Sequence, residues 1–205
     1  MIRVNVGCGA TPTPGFINLD NSWTVRLAPW LRFAVPLLDD QQRAFALKAR
    51  AQRIRWAQAT RLPLAAGSAD VVYSSHMFEH LDHAERALFL GEALRVLAPG
   101  GILRLVVPDL ARIAAQYATD GDADHFVEAT LLAKAKPLSL WRALLVGDRH
   151  HAWMYDGRSL SRLLADHGFL GPGVLAPGET TIADPGALDL CERADESVYV
   201  EARKP

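Results

Sequence analysis

The 205-residue chain holds seven histidines, and five of them (His76, His80, His83, His150 and His151) fall in two polar clusters. Histidine suits proton transfer because its ordinary pKa of about 6.5 lies near neutral pH. His76 follows the valine-rich run ADVVYSS at 69–75, a strand pattern whose end faces the ligand edge of an open parallel sheet. His150 and His151 stand in RHHAWMYD with Trp153 and Tyr155, where one of the pair could flank an acceptor and serve as its base. His76 is the other candidate base. His80 and His83 are three apart beside Glu79, and a metal centre needs more ligands than that spacing makes visible. No metal is therefore expected. His80 reads as a packing residue, His83 as solvated, and Trp153 as an anchor for the helix that follows.

A second set of residues has the chemistry of nucleotide binding. VNVGCGATPTPGFINLD, residues 4–20, reads as strand, glycine turn and strand. Glycine has no Cβ, so backbone N–H groups at Gly7 and Gly9 can come close to a ligand. Asp20 ends the second strand, where a carboxylate can accept both hydrogen bonds of a ribose diol. Only ten residues separate Gly9 from Asp20, and two are prolines, so a full crossover helix does not fit.

These residues need a scaffold that brings strand ends together. Strand patterns at 2–6, 16–20, 69–75, 101–108 and 196–205 alternate with helical ones, which predicts an α/β fold with a doubly wound, mostly parallel sheet of about seven strands and helices on both faces. The run EHLDHAERALFLGEALRVLAPGG predicts a helix with Leu81, Ala84, Leu88, Gly91, Leu94 and Leu97 on one face, ended by a turn at Pro99-Gly100-Gly101. Further helices are predicted at 109–119, started by Asp109, and at 156–169, while 170–195 reads as loop with one possible short strand. Segments 23–56 and 126–155 interrupt the alternation and are expected to be lid or acceptor-binding insertions in a single domain spanning 1–205, although extra core helices would explain them equally well.

Composition is that of a soluble globular chain, 50% hydrophobic and 22% charged, with a net charge of -1. Cys8 and Cys191 are far apart and lack metal spacing, and MIRVNVG reads as strand rather than export leader. A cytoplasmic location is expected. Charge is uneven: between Trp23 and Gln58, seven basic residues stand against Asp39 and Asp40. This tryptophan-bearing segment could rest on an anionic membrane surface, though a solvated lid face accounts for it more simply. No broad basic stripe points to nucleic acid.

The central block QATRLPLAAGSADVVYSSHMFEHL, continued by EALRVLAPGGILRLVVPDL, resembles the class I S-adenosylmethionine-dependent methyltransferases, and with the glycine turn the likeness spans Val4 to Leu110. The resemblance implies S-adenosylmethionine as cofactor and S-adenosylhomocysteine as product. It places Gly7, Cys8 and Gly9 under the methionine and ribose, Asp20 on the ribose hydroxyls, Gln58 and Ala59 at the adenine edge, and Ser75 with His76 beside the sulfonium. Three positions depart from the family pattern: Asn5 stands where an acid is usual, Thr11 where a third glycine falls, and Gln58 where an aspartate often binds the adenine amino group. The implied function is methyl transfer to an oxygen or nitrogen of a small molecule or saccharide-type acceptor. The alternative is an inactive scaffold that kept the fold.

Overall fold

The valine- and leucine-rich runs form the middle of one sheet. The computed structural model describes residues 1–27, 40–131 and 150–205. Its strands are β1 Arg3–Val6, β2 Ile17–Asp20, β3 Arg55–Trp56, β4 Ala69–Ser75, β5 Leu97–Pro108, β6 Leu170–Leu175 and β7 Ser197–Arg203. They lie in the order β3-β2-β1-β4-β5-β7-β6. The first five pair in parallel, and β7 runs antiparallel between β5 and β6. From β1 the chain steps outward to β2 and β3, then returns to β4 on the other side of β1. That reversal is the switch point at which open α/β sheets bind ligands, just beyond the carboxyl ends of the strands. The predicted fold class is the observed one, and β6 is the extra strand within 170–195.

The described helices are α1 Trp23–Leu27, α2 Asp40–Ala51, α3 His83–Val96, α4 Leu110–Asp120, α5 Ala123–Thr130 and α6 Gly157–Asp166. A capping box starts α3: Asp82 accepts from the N–H groups of Ala84 and Glu85, and Glu85 accepts from the Asp82 N–H. Its buried face is Arg86, Phe89, Leu90, Ala93 and Val96; of the expected stripe, Leu97 is buried and Leu81 and Leu94 pack partly against the core, whereas Leu88 is 58% exposed. Two apolar stripes run along this helix, and the sheet takes the one carrying Phe89, whose ring meets Phe78 at 5.7 Å. An aromatic ring buries more apolar area than the residues of the competing stripe. The expected turn at Pro99-Gly100-Gly101 is instead an irregular stretch within β5, because Leu97 already pairs with Ala69 before the register shifts.

One face of the sheet packs against α3 and α6, with Val72, Leu103, Leu105 and Val200 meeting Phe89, Leu90, Leu160 and Leu164. The other face carries a consequence of the short first crossover. Residues 7–16 form no helix, and Phe16, with Ile182 and Leu188 from the β6–β7 connection, covers Val71, Tyr73, Ile102, Val106 and Tyr199. That connection is pinned by charge. Arg104, fully buried at the centre of β5, lies 2.7 Å from Glu201 on β7, and Glu201 also accepts from the hydroxyls of Thr180 and Thr181. Burial resists ionisation of Glu201, but the two threonines and the guanidinium outweigh it and hold its pKa below the ordinary value.

Trp153 is not a core anchor. It is 52% exposed with the Arg86 guanidinium stacked 4.8 Å from its ring, and the buried anchor is Tyr155, packed on Phe78. Pro29, Trp30, Phe33 and Pro36 of the first irregular segment, and residues 132–149 of the second, lie outside the described residues. Among the described residues no helix is long and apolar enough to cross a membrane.

Candidate functional site

Four strand ends meet at the switch point: Gly7 after β1, Asp20 closing β2, His76 after β4 and Asp109 after β5. The glycine turn is tight because its N–H groups are engaged by β2. Gly7 and Cys8 donate to the Leu19 carbonyl at 2.8 and 3.1 Å, and Gly9 donates to Asp20 Oδ2 at 2.9 Å. Asp20 Oδ1 accepts from Ser22 N–H at 2.9 Å. Each carboxylate oxygen has a second lone pair, so Asp20 keeps acceptor capacity for a diol. Gly7 has a φ of +75°, and a Cβ there would come within 2.4 Å of Met77 Cγ. The turn therefore demands glycine at this position.

Cys8 points away from solvent into a cluster with Val25, Ala49 and Ile54, against which Phe45 packs. Burial, reinforced by the nearby Asp20 charge, pushes its thiol up to about 12, so it is an inert packing group at neutral pH. Helices α1 and α2 thus seat part of the 23–56 segment on the glycine turn, and Lys48 Nζ donates to the Ala10 carbonyl at 2.6 Å. Asn5, where an acid was usual, is turned to Thr13, donating to its hydroxyl at 3.0 Å. Beyond β3 an open cleft is lined by Trp56, Ala57, Gln58, Arg61 and Leu62; Ala59 packs against the core beside it.

On the β4–β5 side a cavity of about 500 Å³ is lined by His76, Glu79, His80, His125 and His151, with Arg193 and Glu196 at its margin. His76 has a φ of +48°, a left-handed conformation uncommon outside glycine, and its N–H is tied to the Val106 carbonyl. Its Nε2 lies 2.9 Å from Ser197 Oγ, while Nδ1 faces Arg193 Nη1 at 3.3 Å and Glu79 Oε1 at 3.5 Å. A guanidinium can only donate, so the Arg193 contact keeps Nδ1 as an acceptor and leaves Nε2–H to donate to Ser197.

Glu79 lies in a short 3-10 turn, Phe78–His80, and is 1% exposed. Its carbonyl accepts from the N–H groups of Ala152 and Trp153, which docks the RHHAWMYD segment beside β4. That docking brings His151 into the cavity wall, its Nε2 3.9 Å from Glu79 Oε1 and its ring edge-on to His80 at 5.1 Å. Burial depresses the His151 pKa, Glu79 opposes this, and His80 adds to the lowering, so the ring is neutral at neutral pH. His150 is not among the cavity-lining residues; its carbonyl accepts from His80 Nδ1 at 2.9 Å. Asp109 caps α4 by accepting from Ala111 N–H.

The structure thus brings His76 and His151 into one cavity and sets Gly7, Cys8, Gly9 and Asp20 together in one turn. The sequence reading passed over Glu79, His80, His125, Arg193 and Ser197 as members of the site. Glu79 and His80 carried a signal in their adjacency, but Ser197 lies 121 positions from His76 and gave none.

This strand order, with one antiparallel strand inserted next to the edge, and a glycine turn answered by an acid at the end of β2, define the class I methyltransferase architecture. Residues 30–105 match the family model described as a methyltransferase domain. Its fold is shared with a solved SAM-dependent methyltransferase of Thermotoga maritima, described as a possible histamine N-methyltransferase (18% identity, 100% of this chain and 82% of that one, TM-score 0.52). It is shared likewise with SAM-dependent methyltransferases of Methanosarcina mazei (18% identity, 98% and 91% coverage, TM-score 0.53) and Mesorhizobium loti (19%, 99% and 90%, TM-score 0.50). No curated protein matches the chain.

Proposed function

We propose that the chain transfers a methyl group from S-adenosylmethionine to an oxygen or nitrogen of a small-molecule or saccharide-type acceptor, releasing S-adenosylhomocysteine. The observation that supports this reading is the joining of two sites at one sheet edge: Asp20 closed onto the Gly9 turn, and a histidine-lined cavity at the end of β4.

In this reading Asp20 accepts from the ribose hydroxyls, and Gly7, Cys8 and Gly9 form the floor under the methionine and ribose. Gln58 and Ala59 border the adenine, with the Gln58 amide oxygen replacing a carboxylate acceptor. Ser75 lies on the sulfonium side. The α1–α2 portion of segment 23–56 covers the turn that the missing crossover helix would otherwise have covered.

The sulfonium supplies an activated methyl with a good leaving group, so the protein's task is alignment and removal of a proton. His76 takes that proton on Nδ1 once the acceptor displaces the 3.3 Å Arg193 contact there, and Ser197 holds its other nitrogen. His151 walls the acceptor, and His150 acts through its carbonyl on His80. The acceptor lone pair forms the new bond to the methyl carbon as the S–CH3 bond breaks toward sulfur. Thermal unfolding with S-adenosylmethionine and S-adenosylhomocysteine tests the reading: both should raise the midpoint, since a ligand of the native state stabilises it. No shift with either would favour a scaffold without the chemistry.

A further inference from the structure

Both carboxylate oxygens of the buried Glu79 lack a hydrogen-bond partner among the described residues. A carboxylate left that way is costly and calls for a compensating positive group. Among the described residues, imidazoles approach it: His76 Nδ1 at 3.5 Å and His151 Nε2 at 3.9 Å from Oε1. Glu79, His80 and His151 each offer one ligand atom, and the three atoms lie within 4.8 Å of one another. The separation of 3.9 Å between His151 Nε2 and Glu79 Oε1 is too long for a direct hydrogen bond. It is close to what a shared ion requires, since neighbouring ligands on a tetrahedral ion with bonds of about 2.1 Å lie roughly 3.4 Å apart.

The orientation of His80 points the same way. A backbone carbonyl can only accept, so the 2.9 Å contact with the His150 oxygen puts the proton on Nδ1 and the lone pair on Nε2. An N–H donated to a backbone carbonyl is how metal-binding histidines are commonly aimed. All three residues also line the cavity, so the cluster lies in its wall. Three protein ligands with an open position make a reactive metal site, whereas structural sites close with four.

We propose that Glu79, His80 and His151 hold one divalent cation of the zinc type, whose open position faces the cavity and takes the hydroxyl oxygen of the acceptor. Two imidazoles and a carboxylate suit a borderline ion of this kind. Coordination makes the hydroxyl more acidic. Its proton passes to His76, the oxygen bonds to the methyl carbon, the carbon–sulfur bond breaks, and the sulfonium becomes a neutral thioether. The role at the acceptor rests on the methyltransferase reading, but ion binding does not. If both hold, the acceptor atom is oxygen.

Chelator-treated protein titrated with Zn(II) by calorimetry, and with Co(II) by visible absorption, should bind one ion per chain. Glu79→Gln and His80→Ala should each weaken Zn(II) binding by about tenfold or more, and His167→Ala, at the end of α6 and outside the cavity lining, should leave it unchanged. If the parent protein takes up no ion, or His80→Ala binds it as tightly, the cluster is a packing network and the proposal fails. His80→Asn stands in should His80→Ala not fold. S-adenosylhomocysteine binding, measured on the same samples, separates failure of the metal site from failure of the cofactor reading.

Discussion

Gly9 and Asp20, eleven positions apart, meet through a hydrogen bond of 2.9 Å from the glycine N–H to Oδ2 of the carboxylate. One bond therefore couples the shape of the turn to the orientation of the proposed ribose acceptor. Asp20→Ala removes both, and Asp20→Asn keeps an oxygen but loses the charge. A charge-assisted hydrogen bond contributes about 1.5–3 kcal/mol, so Asp20→Asn should weaken S-adenosylhomocysteine binding by roughly ten- to hundredfold in calorimetry. Equal affinity in Asp20→Ala would remove this residue from the cofactor site.

Gly7 leaves no room for a side chain, since a Cβ would overlap Met77 and φ is +75°. Gly7→Ala should destabilise the fold by about 1–3 kcal/mol in urea unfolding. A further Met77→Ala change should return part of that loss, although the unfavourable φ remains.

His76→Ala should lower turnover by about 10²–10⁴-fold, the range of a general base, while cofactor affinity stays nearly constant. His76→Asn, which tolerates a left-handed backbone, controls for the strain at φ +48°. Retained turnover in both variants would transfer the base role elsewhere.

Arg104 and Glu201 form a buried ion pair on the face that lost its helix. Removing one partner strands a charge, so Arg104→Met should cost about 3–5 kcal/mol in denaturant unfolding. Arg104→Met with Glu201→Gln should cost less than Arg104→Met alone, because the stranded charge is gone. The double-mutant cycle measures that coupling.

The depressed pKa of Glu201 sets the sign of its pH dependence. A folded-state pKa below the unfolded one adds stability that is complete above the ordinary carboxylate pKa of about 4.3 and disappears as pH falls through the folded value. The parent chain should therefore lose stability more steeply on acidification below about pH 4.3 than Glu201→Gln does. Parallel acid-unfolding curves would contradict this.

Periodicity and turn chemistry were enough to read the strands, the long helix α3 and the absence of a first crossover helix from the chain alone. These are local properties: valine runs extend, apolar residues recur at helical spacing, and ten residues with two prolines cannot form a crossover helix. The glycine turn and its matching acid were legible for the same reason, since short spacing constrains which groups can meet. Choices between local equals were not. Two stripes of α3 were apolar enough to be buried, and only packing against Phe78 selected the one with Phe89. Trp153 and Tyr155 differ little as residue types, yet one stacks in solvent on Arg86 and the other fills the core. The histidine cavity belongs wholly to the tertiary structure. Glu79 and His80 leave β4 in one turn, His151 arrives when the Glu79 carbonyl docks its segment, and Ser197 comes from the far end of the chain. Sequence spacing cannot encode which distant segments will share a wall, because that depends on how the sheet pairs and which face each connection crosses.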